Sequence, residues 1–213
     1  IVKDVPTRYK SSVERTASEF WLANQPEHRA LFNETENGEE FSFSFKVPKT
    51  GEDLQRRREI VSTLTRNRVG GSRLTGIDSL NGVAYACDKL DAAMGTKYAE
   101  NMRSYREWCK KNDPGLCAAV SDPKGNRRLH AEDPRQAHKD FYVRVVDKSN
   151  EGIYITGCKL HISDSILSNE LIVVPSRNHN ESGKDYAVSC AVSCGTKGVT
   201  FLATAGSEDG GHP

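Results

Sequence analysis

Polar side chains that could hold an anionic or hydrogen-bonding ligand follow the short apolar run at residues 116–120. The run breaks into Ser121-Asp122-Pro123-Lys124-Gly125-Asn126-Arg127. Small apolar residues followed by polar and backbone-permissive residues indicate a strand that ends in a loop. Such a loop offers the Ser121 hydroxyl, backbone N–H groups and the cations of Lys124 and Arg127 to a ligand. An ordinary surface turn is the alternative interpretation of the same residues.

A second polar set lies along a strand that the sequence predicts over 152–162. Lys159, His161 and Ser163 are spaced two residues apart. On a strand this spacing directs their side chains to one face. They could contact the polar edge of a ligand there, or they could form a solvent-exposed polar face.

The composition excludes several classes of protein. The chain has 213 residues and a formal net charge of +1, so its charge balance does not favour nucleic acid or an anionic membrane as a partner. No apolar run approaches the roughly 20 residues that span a bilayer. Six cysteines without paired spacing indicate reduced thiols in a cytoplasmic protein. On a strand Cys190 and Cys194 would lie about 13 Å apart, too far to chelate one ion, so no metal site is predicted.

The order of elements predicts an α+β fold with helices first and strands second. Helical periodicity is found in the first 31 residues, in Glu52–Arg68, in 78–94 and in 96–111, with an alternating strand at Glu40–Val47. Strands are predicted at 116–121, 140–147, 152–162, 170–175, 186–192 and 198–203. We therefore expect a mostly helical domain over 1–114, a small β-barrel or sandwich over 115–204, and a flexible tail at 205–213.

Local signals predict two further features of the helical half. Gly95 is expected to end one helix and Thr96 to cap the next. The Arg56-Arg57-Arg58 run is expected to be a solvated helix face rather than a phosphate clamp.

Collinear motifs between about Thr75 and Phe201 carry a resemblance to a known family. They are Gly76–Asn81, Gly95–Tyr98, Lys111–Asp113, Ser121–Arg127, Gly152–Ile153 with Lys159–His161, and Asp185–Ser189. In this order they resemble the flavin-dependent 4-hydroxyphenylacetate 3-monooxygenase family, which also contains 4-hydroxybutyryl-CoA dehydratase.

The resemblance implies an acyl-CoA dehydrogenase-like fold and a two-component monooxygenase. Such an oxygenase uses reduced FAD from a separate flavin reductase, and O₂, to hydroxylate an aromatic or related small substrate; a homo-oligomer is common in the family. In the family a helical bundle follows the β domain, and this chain is expected to lack it and to supply about half of a flavin pocket. Gly70-Gly71 lacks the spacing of a nicotinamide-binding motif, which agrees with an external reductase.

The candidate site residues follow from the polar groups that the chain supplies for a flavin and, for Ser121 and Ser163, from the resemblance, which places these two where the family has flavin contacts. The expected cofactor-binding residues are Val120, Ser121, Asp122, Arg127, Lys159, His161 and Ser163. Ser163 is expected near the reactive N5 edge of the flavin, and it and Arg73 are the candidate catalytic residues.

Three positions depart from the family pattern. Gly70 and Leu74 stand where the hydroxylases have an Arg and a Tyr that hold the phenol, and where the dehydratase has two Cys that bind an iron–sulfur cluster. Ala118 stands where the hydroxylases have a catalytic His. Two alternatives therefore stay open beside the monooxygenase: a CoA-thioester dehydratase or isomerase, which the missing cysteines disfavour, and a degenerate, non-catalytic family member.

Overall fold

The computed structural model describes residues 9–67, 69 and 72–202. Its first half is mostly helical. The helices of this half are α1 (Lys10–Ala23), α2 (Pro26–Phe32), α3 (Gly51–Arg66), α4 (Ser72–Met94) and α5 (Tyr98–Asn112). A short antiparallel hairpin, β1 (Asn33–Glu36) with β2 (Glu39–Ser42), lies between α2 and α3. Within the described ranges, the helices include none that is long and apolar enough to cross a membrane.

The second half contains two small sheets. The strands are β3 (Leu116–Ala119), β4 (Arg144–Ser149), β5 (Gly152–Thr156), β6 (Glu170–Val173) and β7 (Cys190–Ser193). β3 pairs with β6 in parallel and β6 pairs with β7 antiparallel, in the order β3-β6-β7. β4 and β5 form a separate antiparallel hairpin.

The mixed helix-and-sheet class is confirmed, but the closed barrel is wrong for the described residues. The three-stranded sheet has β3 and β7 as open edges, and the β4–β5 hairpin is not hydrogen-bonded to it. A barrel requires every strand to have two hydrogen-bonded neighbours. The boundary predicted at 114/115 stays a prediction, and the tail at 205–213 lies outside the described residues.

The strand predicted at Glu40–Val47 is only half correct. It pairs with β1 as far as Ser42, and then a 3₁₀ turn covers Phe43–Phe45. Phe43 and Phe45 are each 1% exposed, and Ser44 between them is 2% exposed. A half-buried strand would expose every second residue, whereas the 3₁₀ turn buries three in succession, with Phe43 and Phe45 in two different apolar clusters.

The strands of the second half are shorter than predicted. Parts of 140–147 and 186–192 are 3₁₀ helices, at Lys139–Phe141 and Glu181–Tyr186. The Asn180 side chain accepts a hydrogen bond from the Gly183 N–H and so favours a turn over a strand there. The described residues of 198–203, which end at 202, form no strand.

Two expectations for the helical half are also wrong. Gly95 does end α4, with φ +67°, but Asp91 rather than Thr96 caps α5, because its carboxylate accepts from the N–H groups of Tyr98 and Ala99. Arg56 and Arg57 are not a solvated face: Arg56 donates to the Leu31 carbonyl at 3.0 Å and Arg57 to the Ser44 carbonyl at 3.0 Å.

The main core lies between α4, α5 and the three-stranded sheet. Its buried residues include Phe45, Ile77, Leu80, Cys109, Leu116 and Ile172. α4 reaches β3 at Gly76, where an added Cβ would lie 2.4 Å from the Leu116 carbonyl carbon. The glycine of the Gly76–Asn81 motif therefore allows the helix backbone to contact the strand backbone directly.

Candidate functional site

The candidate site lies at the carboxyl ends of β3 and β6. Because these strands are parallel neighbours, the residues that follow them meet at one edge of the sheet. Val120, Ser121 and Asp122 follow β3, and Val174 and Ser176 follow β6. We call this region the strand-end edge. It brings together the first polar set of the sequence and segment 157–163 of the second.

Segment 157–163 is not the predicted strand. β5 ends at Thr156, and Gly157 has φ +136° and sits so close to the Tyr142 carbonyl oxygen that a Cβ would lie 2.5 Å from it. The positive φ of Gly157 takes the chain out of the strand conformation there. The prediction that Lys159, His161 and Ser163 share one strand face is wrong.

The structure instead distributes those three residues. Lys159 turns inward and its side chain is 11% exposed. His161 is exposed in a left-handed conformation with φ +56°. Ser163 is exposed, and its carbonyl accepts from the Cys117 thiol at 3.0 Å. His161 and Ser163 thus remain accessible, with Ser163 beside Cys117 of β3, whereas Lys159 does not.

The ammonium of Lys159 lies among three protein oxygens. It donates to the carbonyls of Val120 at 2.9 Å and Val174 at 2.8 Å, and forms an ion pair with Asp122 Oδ1 at 2.7 Å. The side chain of Asp122 is 2% exposed, and its Oδ2 accepts from the Ser176 hydroxyl at 2.5 Å. One cation thus joins the ends of both parallel strands to segment 157–163.

The turn that follows Asp122 is held by hydrogen bonds to Gln136 and Tyr142, and its outer side faces solvent. Gln136 accepts from the Asn126 N–H at 3.1 Å and donates back to the Asn126 carbonyl at 3.0 Å. The Tyr142 hydroxyl donates to the Lys124 carbonyl at 3.1 Å. Arg127 is exposed on this turn, so its guanidinium is accessible to a ligand.

Arg73, the second candidate catalytic residue, lies at the opposite end of β3. It is 7% exposed and forms ion pairs with Glu19 at 3.4 Å and with Asp113. Its guanidinium lies over the rings of Phe20 at 4.7 Å and Phe45 at 5.4 Å. These contacts join α1, the start of α4 and the turn before β3.

Burial dominates the electrostatics of this cluster. Desolvation raises the pKa of Glu19 above its ordinary value even though the Arg73 charge acts in the opposite direction. The pKa of Asp113 is raised for the same reason. Burial therefore disfavours the charged forms of Glu19 and Asp113, and the Arg73 cation offsets part of this cost.

Of the three positions that depart from the family pattern, two are described. Leu74 is 5% exposed and packs in the apolar cluster with Phe43, Ile60 and Leu64. Ala118 is half-buried in β3. Gly70 lies outside the described residues. Leu74 therefore acts as a core residue.

A separate shallow cleft of about 580 Å³ lies between loop 131–139 and the 3₁₀ helix at Glu181–Tyr186. Its lining mixes the carboxylates of Glu132 and Asp185 with the cations of Lys139 and Arg144. Large pockets are the default candidates for binding sites. Two motif segments, Ser121–Arg127 and Lys159–His161, converge at the strand-end edge instead, and we base the site there.

Sequence reasoning missed the pairing within the site. Lys159 and Asp122 were both predicted as ligand contacts, and nothing in their spacing indicates that they bind each other 37 positions apart in the chain. Ser176 and the Val174 carbonyl were not predicted at all. Only the parallel pairing of β3 with β6 could have indicated that residues after 173 reach residues after 119.

Comparison with known protein families gives a match over nearly the whole chain. The family model described as 4-hydroxyphenylacetate 3-hydroxylase N terminal matches residues 2–213. Among curated relatives, 4-hydroxybutyryl-CoA dehydratase/vinylacetyl-CoA-Δ-isomerase of Clostridium aminobutyricum is 29% identical over 91% of this chain and 40% of its own length. The 4-hydroxyphenylacetate 3-monooxygenase oxygenase component of Thermus thermophilus is 27% identical over 96% of this chain and 42% of its own length.

Solved structures give the same two kinds of relative. An oxygen-tolerant archaeal 4-hydroxybutyryl-CoA dehydratase from N. maritimus superposes with a TM-score of 0.85 at 25% identity, over 93% of this chain and 40% of that one. The oxygenase component of 4-hydroxyphenylacetate 3-monooxygenase complexed with FAD and 4-hydroxyphenylacetate superposes with a TM-score of 0.76 at 24% identity, over 90% and 39%. This chain thus spans about 40% of the length of these relatives.

Proposed function

The chain belongs to the 4-hydroxyphenylacetate 3-hydroxylase N-terminal family, and on that premise we propose that it supplies one side of a flavin site in the oxygenase component of a two-component monooxygenase. The observation that carries the proposal is the convergence of two of the family's motif segments, Ser121–Arg127 and Lys159–His161, at the strand-end edge. The cofactor would be FAD, delivered reduced by a separate flavin reductase. When bound, reduced FAD supplies the activation of O₂ that hydroxylates an aromatic or related small substrate.

The residues at the strand-end edge fit an anionic cofactor. A bare carboxylate here would repel the pyrophosphate of FAD. The Asp122 carboxylate is compensated by the Lys159 ammonium at 2.7 Å, and Arg127 adds an exposed cation on the adjoining turn. Charge at this edge therefore favours FAD.

We assign the hydrogen-bonding roles to the accessible polar groups. Ser121 is half-buried directly after the β3 end, and its hydroxyl could bind the polar edge of the ring system. Ser163 is exposed and is our candidate for a hydrogen bond at N5, where it would stabilise charge that develops during the reaction. Val120 and His161 are exposed at the same edge, whereas the Asp122 carboxylate is buried beneath it.

We assign Arg73 to the fold rather than to catalysis. Its guanidinium is engaged by two carboxylates and two aromatic rings, and it is 7% exposed. A catalytic cation needs contact with the substrate or the reacting atoms. The Arg73 contacts support a structural role instead.

A second candidate is dehydratase or isomerase chemistry on a CoA thioester. It is supported by the higher TM-score of the dehydratase structure, 0.85 against 0.76. An iron–sulfur cluster needs thiolate ligands, and Leu74 supplies none. Iron and sulfide in the purified protein, with broad absorption near 400 nm, would favour this alternative over the monooxygenase.

The proposal extends to partners and location. It requires a flavin reductase and a small-molecule substrate, and places the protein in the cytoplasm with no nucleic-acid or membrane partner. A homo-oligomer is part of the same proposal.

The test is to mix the full-length protein with photoreduced FAD under argon and then to admit air while recording absorbance. We expect reoxidation slower than that of free FAD, with a transient spectrum that differs from oxidised FAD. Ser163→Ala should speed the decay of the transient, whereas Ser189→Ala, an exposed serine before β7, should leave it unchanged. Reoxidation at the rate of free FAD, with no FAD retained on gel filtration, would instead support a non-catalytic family member.

A further inference from the structure

We propose that Lys159 and Asp122 are positioning residues that clamp segment 157–163 onto the strand-end edge; this rests on the proposed function. The Lys159–Asp122 clamp consists of these two side chains, the Ser176 hydroxyl and the carbonyls of Val120 and Val174. The sequence predicts Lys159 and Asp122 as cofactor contacts. The geometry points to a different role for both.

The Lys159 ammonium is already surrounded by protein oxygens. Two of its three N–H donors bond the strand-end carbonyls at 2.9 and 2.8 Å, and Asp122 Oδ1 lies 2.7 Å away in an ion pair. A phosphate oxygen would have to displace one of them. Lys159 therefore holds protein atoms rather than the cofactor.

The same argument applies to Asp122. Its Oδ1 lies against the Lys159 ammonium, and its Oδ2 accepts from Ser176 at 2.5 Å. Its side chain is 2% exposed, so this carboxylate is withdrawn from any ligand on the surface. Each charge of this buried pair depends on the other, because removal of one partner leaves the other charge unpaired away from water.

The clamp matters because it is one of the few polar contacts that hold segment 157–163 against β3. The segment leaves β5 at Gly157 and crosses to the β3 end, where the Leu160 N–H donates to the Ser121 carbonyl at 2.9 Å. Lys159 is adjacent to this contact. Beyond it the chain presents His161 in its left-handed conformation and then Ser163. The position of Ser163, our N5 candidate, is therefore set by the contacts at Lys159 and Leu160 together with the Cys117 thiol, which donates to the Ser163 carbonyl at 3.0 Å.

Hydrogen exchange in the FAD-free, full-length protein tests the clamp itself. Lys159→Met and Asp122→Asn should each speed exchange of the Leu160 amide at least about tenfold, while amides of α3 keep their wild-type rates and so show that the variants fold. Lys148→Met, at an exposed lysine of β4, is the matched control. Unchanged Leu160 exchange in both variants would overturn the clamp.

FAD affinity then tests positioning against direct contact. Positioning predicts that both single variants weaken FAD binding by a similar factor, that the double variant is no weaker than either single one, and that Lys159→Arg largely restores binding. Loss of affinity in Lys159→Met with none in Asp122→Asn would show direct contact and overturn positioning. If the wild-type protein binds no FAD, the proposed function and the positioning role fall together, while the exchange result still decides whether the clamp exists.

Discussion

The two ends of β3 are each held by a buried cation, but the partners differ. Before the strand, Arg73 binds two carboxylates, Glu19 and Asp113, and lies over two aromatic rings. After the strand, Lys159 binds two backbone carbonyls and the carboxylate of Asp122. Both cations are withdrawn from solvent, with side chains 7% and 11% exposed.

The difference in partners explains the different roles that we assign. The planar guanidinium of Arg73 bridges side chains from α1 and the turn before β3, and so fastens helices to the sheet. The compact ammonium of Lys159 binds main-chain oxygens directly, and so fixes where the backbone of two strand ends lies relative to segment 157–163. We therefore propose that the first cation serves the fold and the second serves the site.

The largest expected effect is on stability, from Arg73→Met. It leaves the Glu19 carboxylate buried at 4% exposure without its cation, and should cost about 3 kcal/mol in the free energy of unfolding. Urea unfolding of the full-length protein measures this. Arg103→Met removes only an exposed pair with Asp88 and should cost less than about 1 kcal/mol. Equal losses in the two variants would contradict a structural role for Arg73.

A comparable effect is expected where α4 contacts the start of β3. An added methyl at Gly76 would meet the Leu116 backbone at 2.4–2.5 Å, so Gly76→Ala should destabilise the protein by about 1–3 kcal/mol. Gly82, on the same helix, has nothing within 4 Å of an added Cβ, and Gly82→Ala should stabilise by about 0.5–1 kcal/mol. The urea midpoints of both variants measure this difference in stability. A Gly76→Ala protein as stable as the wild type would show that α4 and β3 do not pack closely at this position.

A smaller effect concerns the pH dependence of the Arg73 cluster. Burial raises the folded-state pKa of Glu19 above 4.5, so the folded protein binds the proton more tightly than the unfolded chain does. Stability from this group should therefore fall as pH rises from about 4.5 through the raised pKa. Relative to Glu19→Gln, the wild-type melting temperature should decrease across that window.

Asp53 is a control for Glu19, because its pKa is shifted in the opposite direction. Its carboxylate caps α3 by accepting from the N–H groups of Lys49 and Thr50, and these bonds and the Lys46 charge lower its pKa from 3.8 to about 2. Its contribution is present above 3.8 and is lost as pH falls towards about 2. The stability of the wild type relative to Asp53→Asn should therefore increase as pH rises through this range. A pH dependence of the same sign for Glu19 and Asp53 would contradict the causes that we assign to their pKa shifts.

The sequence predicted the fold best where local signals agree with packing. Helical periodicity located α3, α4 and α5 closely, and Gly95 marked a helix end, because these signals act over a few residues. The strand at Glu40–Val47 failed past Ser42, because Phe43 and Phe45 are buried in two separate clusters that periodicity cannot distinguish.

The sequence located the segments that form the site but not the contacts that its residues make. The motifs led to Val120–Asp122 and to 159–163, and the structure brings these segments together. The burial of Lys159 against Asp122 depends on the parallel pairing of β3 with β6, which no local pattern shows. The contacts of Arg73 were missed for the same reason, because its partners Glu19 and Asp113 lie 54 and 40 residues away in the chain; its catalytic role stays a prediction.

The most direct test of the comparison between the two cations is the FAD affinity of Arg73→Met and of Lys159→Met. Both affinities are measured in the full-length protein, under conditions where circular dichroism shows native helix content for both variants. We predict that Lys159→Met weakens FAD binding by about tenfold or more while Arg73→Met stays within about twofold of wild type. The account would be contradicted if Arg73→Met lost FAD and Lys159→Met bound it as the wild type does.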